Sequence, residues 1–62
     1  MKISYGVKMT AQNDLGREYS VVQIVENENG EIQARNYLYT SAFKGNKGRL
    51  DCFKMIQKIK TL

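Results

Sequence analysis

Gln33, Arg35, Tyr37 and Tyr39 recur at every second residue of one short stretch, EIQARNYLYT. An extended chain turns alternate side chains to one face. This spacing therefore predicts an amide, a guanidinium and two phenols gathered on one surface. Such groups bond phosphate oxygens and read base edges, the guanidinium matching guanine and the amide matching adenine. Lys2, Ser4 and Lys8 share that spacing near the N-terminus, as do Tyr19 and Gln23 in a middle stretch. Lys44, Lys47 and Arg49, interleaved with Gly45 and Gly48, add three cations. That run lacks the Gly-x-x-x-x-Gly-Lys-Ser/Thr order that wraps a nucleotide's phosphates. A loop resting on a nucleic-acid backbone and a plain surface loop both fit it.

Covalent chemistry has little to work with. The chain has no histidine and a single cysteine, Cys52. Ser-His-Asp and Cys-His mechanisms are excluded within it, and a zinc finger or ribbon has no ligand set. The carboxylates Asp14, Glu18, Glu26, Glu28, Glu31 and Asp51 are scattered. That is the pattern of solvated surface charge rather than of a paired acid and base. Sixty-two residues also give little material for a closed pocket. The expectation is a binding module and not an enzyme, with no metal, no cofactor and no small-molecule substrate. A net charge of +4 and a pI near 9.4 make double-stranded DNA the leading partner class.

One thiol allows no internal disulfide and fits a reducing compartment. No apolar run approaches the roughly 18 residues that span a bilayer. The opening MKISYGVKMT lacks the apolar core of a signal peptide. The expected setting is the cytoplasm, and residues 1–62 read as one small domain around one core.

The elements that must position these groups follow from periodicity. Residues 2–10 alternate, with Ile3, Tyr5, Val7 and Met9 on one side, as a half-buried strand does; Gly6 marks a bulge or a close backbone approach. Ala11 to Arg17 reads as a turn, through Asn13, Asp14 and Gly16. Residues 18–26 are β-branched and strand-like. Val22 and Ile24 are expected on the core side, because the other face carries Gln23, and that leaves Val21 and Val25 uncovered. The Asn29-Gly30 pair predicts the centre of a tight hairpin turn. Residues 31–40 then form a third strand with Ile32, Ala34, Asn36 and Leu38 toward the core. Only residues 50–61 have helical spacing: Cys52, Met55, Ile56, Ile59 and Leu62 share a stripe, with Phe53 at its margin. Asp51 suits the cap or first turn of that helix, and Phe43 suits an anchor beneath its end.

One helix and a three-stranded antiparallel sheet form a core only by packing on each other. The expected class is α+β, in the order β-β-β-α, with one sheet face free. That free face is expected to hold Lys2, Ser4, Lys8, Tyr19, Gln23, Gln33, Arg35, Tyr37 and Tyr39. Three readings fit it: a DNA-binding surface, a protein-binding sheet, and a merely solvated pleat, which favours the same residue types. Tyr19 beside uncovered Val21 and Val25 would suit a protein partner, as in a small phage or mobile-element inhibitor or adaptor.

The run Gly48-Arg49-Leu50-Asp51-Cys52, followed by Met55, Lys58-Ile59-Lys60 and Leu62, resembles the end of the N-terminal, arm-type DNA-binding domain of conjugative-transposon tyrosine recombinases. In those integrases a Gly-x-x-Asp-Cys segment leads into a helix with a Lys-Ile-x-x-Leu pattern. Gly16-Arg17 and a glycine hairpin before the third strand are also similar, so the likeness spans residues 16–62. It implies a three-stranded sheet on a C-terminal helix, the sheet face entering the major groove, and a role in DNA integration and recombination. Arg35 and Tyr37 fall where that family places aromatic DNA-facing side chains, and Tyr37 keeps the aromatic character. Leu38 stands where a lysine is expected. The family's catalytic domain has no counterpart here. Asn29-Gly30-Glu31, Leu38-Tyr39-Thr40-Ser41 and Lys47-Gly48 are similar to YegP-like small domains, which imply the same element order and no particular partner.

Overall fold

Two short turns decide the architecture. Asn13 Oδ1 accepts the Leu15 N–H at 2.9 Å, and Gly16 takes φ 119°. The first hairpin thus closes over Asp14 and Leu15 alone, and the expected turn at residues 11–17 is mostly strand. In the second turn Asn27 Oδ1 accepts the N–H groups of Asn29 and Glu31, and Gly30 sits at φ 81°. Only Gly30 is left-handed there, whereas a two-residue Asn-Gly turn needs both residues so. The loop is therefore Glu28 to Gly30, closed by the Asn27 N–H donating to the Glu31 carbonyl.

The computed structural model describes residues 1–61; Leu62, assigned above to the helical stripe, lies outside them. Strands β1 (Lys2–Asn13), β2 (Gly16–Glu26) and β3 (Ile32–Lys44) form one antiparallel sheet in the order β1-β2-β3. Helix α1 (Asn46–Lys60) follows. The class is α+β with the expected β-β-β-α order. The extents are 41 × 25 × 13 Å, so the molecule is a plate.

α1 lies on the sheet face that carries Val21. Val21 and Cys52 are fully buried and Ile56 nearly so, with Tyr5, Val7, Tyr19, Tyr39, Met55 and Ile59 packed around them. The helical stripe and the β1 parity are as the periodicity predicts. The parity of β2 is reversed. Val21 is 0% exposed, and Val22 and Ile24 lie on the far face. Gln23 was the reason to expect otherwise, and its amide is satisfied on the helix side. Its Nε2 donates to Tyr5 Oη at 3.4 Å and its Oε1 accepts from Asn36 Nδ2 at 3.1 Å. Those partners lie directly across the ladder. A polar group so satisfied carries no large burial penalty.

β3 departs from strict alternation. Val21 pairs with Tyr39 and Val22 with Tyr37, so Leu38 is an extra residue. A bulge of this kind shifts the parity of everything beyond it. Ala34 and Asn36 face the helix as expected; Tyr39 joins them and Leu38 does not, remaining 46% exposed. The β1 bulge falls at Thr10, between Met9 and Ala11, and not at Gly6.

The join of β3 to α1 is tight. Gly45, at φ 67°, turns the chain while its N–H donates to the Arg17 carbonyl at 2.8 Å. This glycine takes the cap position without a side-chain cap, and the helix starts four residues earlier than its apolar stripe suggests. Asp51 accordingly lies in mid-helix, not at the cap. Phe43 is 45% exposed and carries the Lys47 ammonium 4.7 Å from its ring centroid, so it is no buried anchor. Gly48, buried in the helix, passes directly over β3, where an added Cβ would collide with the Phe43 carbonyl oxygen.

Helix propensity alone would make Gly48→Ala stabilising by about 1 kcal/mol. The collision reverses the sign: the variant is expected to melt below the parent. Gly6→Ala, whose Cβ would meet only Val22 Cγ1 at 4.0 Å, is expected to melt within a few degrees of it. Ile56→Ala should cost about 2–5 kcal/mol as a core truncation. Thermal and denaturant melts of the three variants check this, and a stabilised Gly48→Ala would contradict the close packing of α1 on β3.

Candidate functional site

The uncovered face of the sheet is built by register. Ser4, Ile24 and Arg35 lie abreast; so do Gly6, Val22 and Tyr37. Lys8 pairs with Ser20, which pairs with Thr40. The Lys8 ammonium reaches to 6.0 Å from the Tyr37 ring centroid, at the long end of a cation–π contact. The two side chains, from β1 and β3, thus bridge over β2. That explains why Val22 is only 5% exposed although no element covers it. Gly6 leaves the room for this arrangement.

Beside that bridge runs a ladder of hydroxyls. Ser20 Oγ lies 2.9 Å from Thr40 Oγ1 and 3.2 Å from Thr10 Oγ1. Thr10 Oγ1 in turn donates to Glu18 Oε1 at 3.1 Å, and Glu18 Oε2 accepts from Lys44 Nζ at 3.2 Å. Glu18 is held below the usual carboxylate range, first by the hydrogen bond from Lys44 and then by that from Thr10. Sequence reading missed Thr10, Ser20 and Thr40 as a group. Their only signal is a match of small hydroxyl residues across three strands, and that match is invisible until the register is known.

The expected site residues fall into four sets. Lys2, Lys8, Arg35 and Tyr37 share the open face, with Lys44 at its end in an ion pair with Glu18. Gln23, Tyr39 and Tyr19 lie on the helix side, so the face is three residues poorer than its alternation predicts. Gln33 is exposed but is the extra residue between the Val25–Ala34 and Glu26–Ile32 pairs, so no cross-strand partner fixes its face. Lys47 and Arg49 are not in a loop. They stand in the first turns of α1, Lys47 over Phe43 and the Arg49 guanidinium 5.4 Å from the Phe53 centroid. Val21 is core, so the exposed valine expected to favour a protein partner is not on the surface.

Tyr39 has a different task. Its hydroxyl donates to Asp51 Oδ2 at 2.6 Å, and Ser41 Oγ donates to the same oxygen at 2.8 Å. Ser41 Oγ also accepts the Phe43 N–H at 3.1 Å. The hydrogen bonds from Tyr39 and Ser41 hold Asp51 below the usual carboxylate range, and the bond to Asp51 pushes the Tyr39 phenol up. The Cys52 thiol is pushed up, by burial foremost, as befits a core residue. Among the described residues no group of three or more His, Cys, Asp or Glu side chains is placed to hold a metal ion, and no helix is long and apolar enough to cross a membrane.

No family model matches the chain, and neither a curated protein nor a solved structure matches it.

The Asp51 contacts set a pH dependence. A depressed carboxyl pKa stabilises the fold above the ordinary aspartate value of about 4, and that stability is lost as pH falls through the lower folded value. The raised phenol works in reverse, its stability being lost as pH rises from about 10 through the folded value. Asp51→Asn should therefore melt below the parent at neutral pH, with a gap that closes in acid. Tyr39→Phe should remove the alkaline loss. A gap unchanged between neutral pH and pH about 2 would refute the assignment.

Proposed function

We propose that the chain is a non-enzymatic DNA-binding module that presents the open face of its sheet to the major groove. One observation carries this reading. Lys2, Lys8 and Arg35 point to the same uncovered face around Tyr37, and the one ion pair among the described residues, Lys44–Glu18, involves none of them. A twisted antiparallel sheet can enter a major groove. Lys2 and Lys8 would neutralise phosphates, Arg35 would bond a guanine edge or a phosphate, and Tyr37 would pack on sugar or a thymine methyl group. The resemblance to integrase arm-binding domains points to the same face and to Arg35 and Tyr37. With it comes the finer proposal of a mobile-element recombination factor acting in the cytoplasm.

The salt dependence of binding tests this quantitatively. Three cations would release counterions with a log–log slope of about −3 on duplex DNA, nearer −2 if Glu26, opposite Lys2, offsets one of them. Arg35→Ala should weaken binding by about 1–3 kcal/mol at a preferred site if Arg35 reads a base. Fluorescence anisotropy with duplex DNA at several salt concentrations gives both numbers. No binding at low salt sinks the reading. A slope steeper than about −5 would move the contact away from this face, which has too few cations to produce it.

A further inference from the structure

The charge excess of the chain lies in α1. Lys47, Arg49, Lys54, Lys58 and Lys60 stand there against one carboxylate, Asp51, whereas everything outside the helix holds five basic and five acidic side chains. The +4 of the whole chain is therefore the charge of this single element. Asp51 is turned inward to Tyr39 and Ser41 and is one carboxylate against five cations, so it offsets Lys58 and Lys54 only in part.

Opposite the buried Cys52 and Ile56, the 3.6-residue period brings Leu50, Phe53, Lys54 and Gln57 outward. Leu50 is 59% exposed and Phe53 44%. These two stand three residues apart on neighbouring turns, an apolar spot rimmed by cations, with Arg49 stacked on the Phe53 ring. An apolar centre inside a charged rim is the anatomy of a protein contact. We propose that this outer face of α1 docks an acidic protein segment, one that carries Asp or Glu around a leucine or aromatic anchor.

Charge complementarity selects the acid, and the extent of the spot selects protein over lipid. A helix lying in a bilayer interface carries its apolar strip along its length, whereas here the strip stops at Gln57. A phosphate-binding surface draws its affinity from cations and has no use for Leu50 at its centre. This surface lies on the opposite side of the plate from Lys8, Arg35 and Tyr37, so its proposal is independent of the DNA reading.

The test is a titration of the isotope-labelled chain with a synthetic helical peptide bearing leucine and phenylalanine on one face and glutamate on the other. Amide shifts should be confined to α1 and the adjoining end of β3, with affinity at least about tenfold above a scrambled peptide of the same composition. The double variant Leu50→Ser, Phe53→Ser should lose about tenfold. Lys54→Glu with Lys58→Glu, a second variant at exposed positions, should abolish binding and keep the fold. Equal binding of the scrambled peptide or of polyglutamate overturns the proposal, as would no binding at all. So does a preference of the same residues for phosphatidylglycerol vesicles or duplex DNA, or pairing of the chain with itself through them. Failure of the DNA reading would register separately, at the amides of Lys8, Arg35 and Tyr37.

Discussion

The carboxylate of Asp51 fixes how this molecule is put together. A single oxygen accepts from both Tyr39 and Ser41, two residues of β3 that lie just before the turn into α1. Hydrogen bonds to a charged acceptor are roughly twice as strong as neutral ones. These two bind the second turn of the helix to the strand it has just left. Gly48 makes the approach possible, because any side chain there would strike the Phe43 carbonyl. Cys52, the next residue after Asp51, then drops into the core beside Val21. Direction, height and facing of the helix are thus set within five residues. The sheet face that remains open is a consequence of that choice.

Those five residues are the Gly48-Arg49-Leu50-Asp51-Cys52 run that carries the likeness to integrase arm-binding domains. Three of them have a packing task here: Gly48 for approach, Asp51 for the bridge, Cys52 for the core. These five residues therefore bear on the fold, while the part of the likeness that bears on a partner rests on Arg35 and Tyr37. Any functional weight must come from residues that packing does not explain, on the open face and on the outer side of α1.

Much of the fold was legible because two periodicities were clean. β1 alternates without interruption to Met9, and Cys52, Met55, Ile56 and Ile59 keep helical spacing. The faces were less legible, for reasons that can be named. Alternation says which residues lie together but not which set meets the helix, and in β2 both sets contain valine. Gln23 tipped that choice the wrong way, since its partners Tyr5 and Asn36 are remote in sequence. In β3 the extra residue Leu38, one of several breaks in the β2–β3 register, divides a run that looks regular and separates Tyr39 from Arg35 and Tyr37. The early start of α1 was hidden because Gly45 replaces the side-chain cap that usually announces a helix.

Charge then weighs on how the two outer surfaces work. The plate is 13 Å thick, and at physiological ionic strength the Debye length is about 8 Å. The cations of α1 are therefore largely screened at the open sheet face. An anionic partner on that face would meet Lys2, Lys8 and Arg35, with hydroxyls and one aromatic ring beside them. At about 0.01 M salt the Debye length grows to about 30 Å, and the helix would add attraction from behind. Affinity for an anionic partner measured only at low salt would then credit the sheet with charge that belongs to the helix. The same separation leaves α1 able to hold an acidic partner without competing for the sheet. A net charge of +4 that reads from composition as one basic protein is, in three dimensions, a basic helix backing a sheet whose strand cations are balanced only with the hairpin-turn carboxylates Asp14, Glu28 and Glu31.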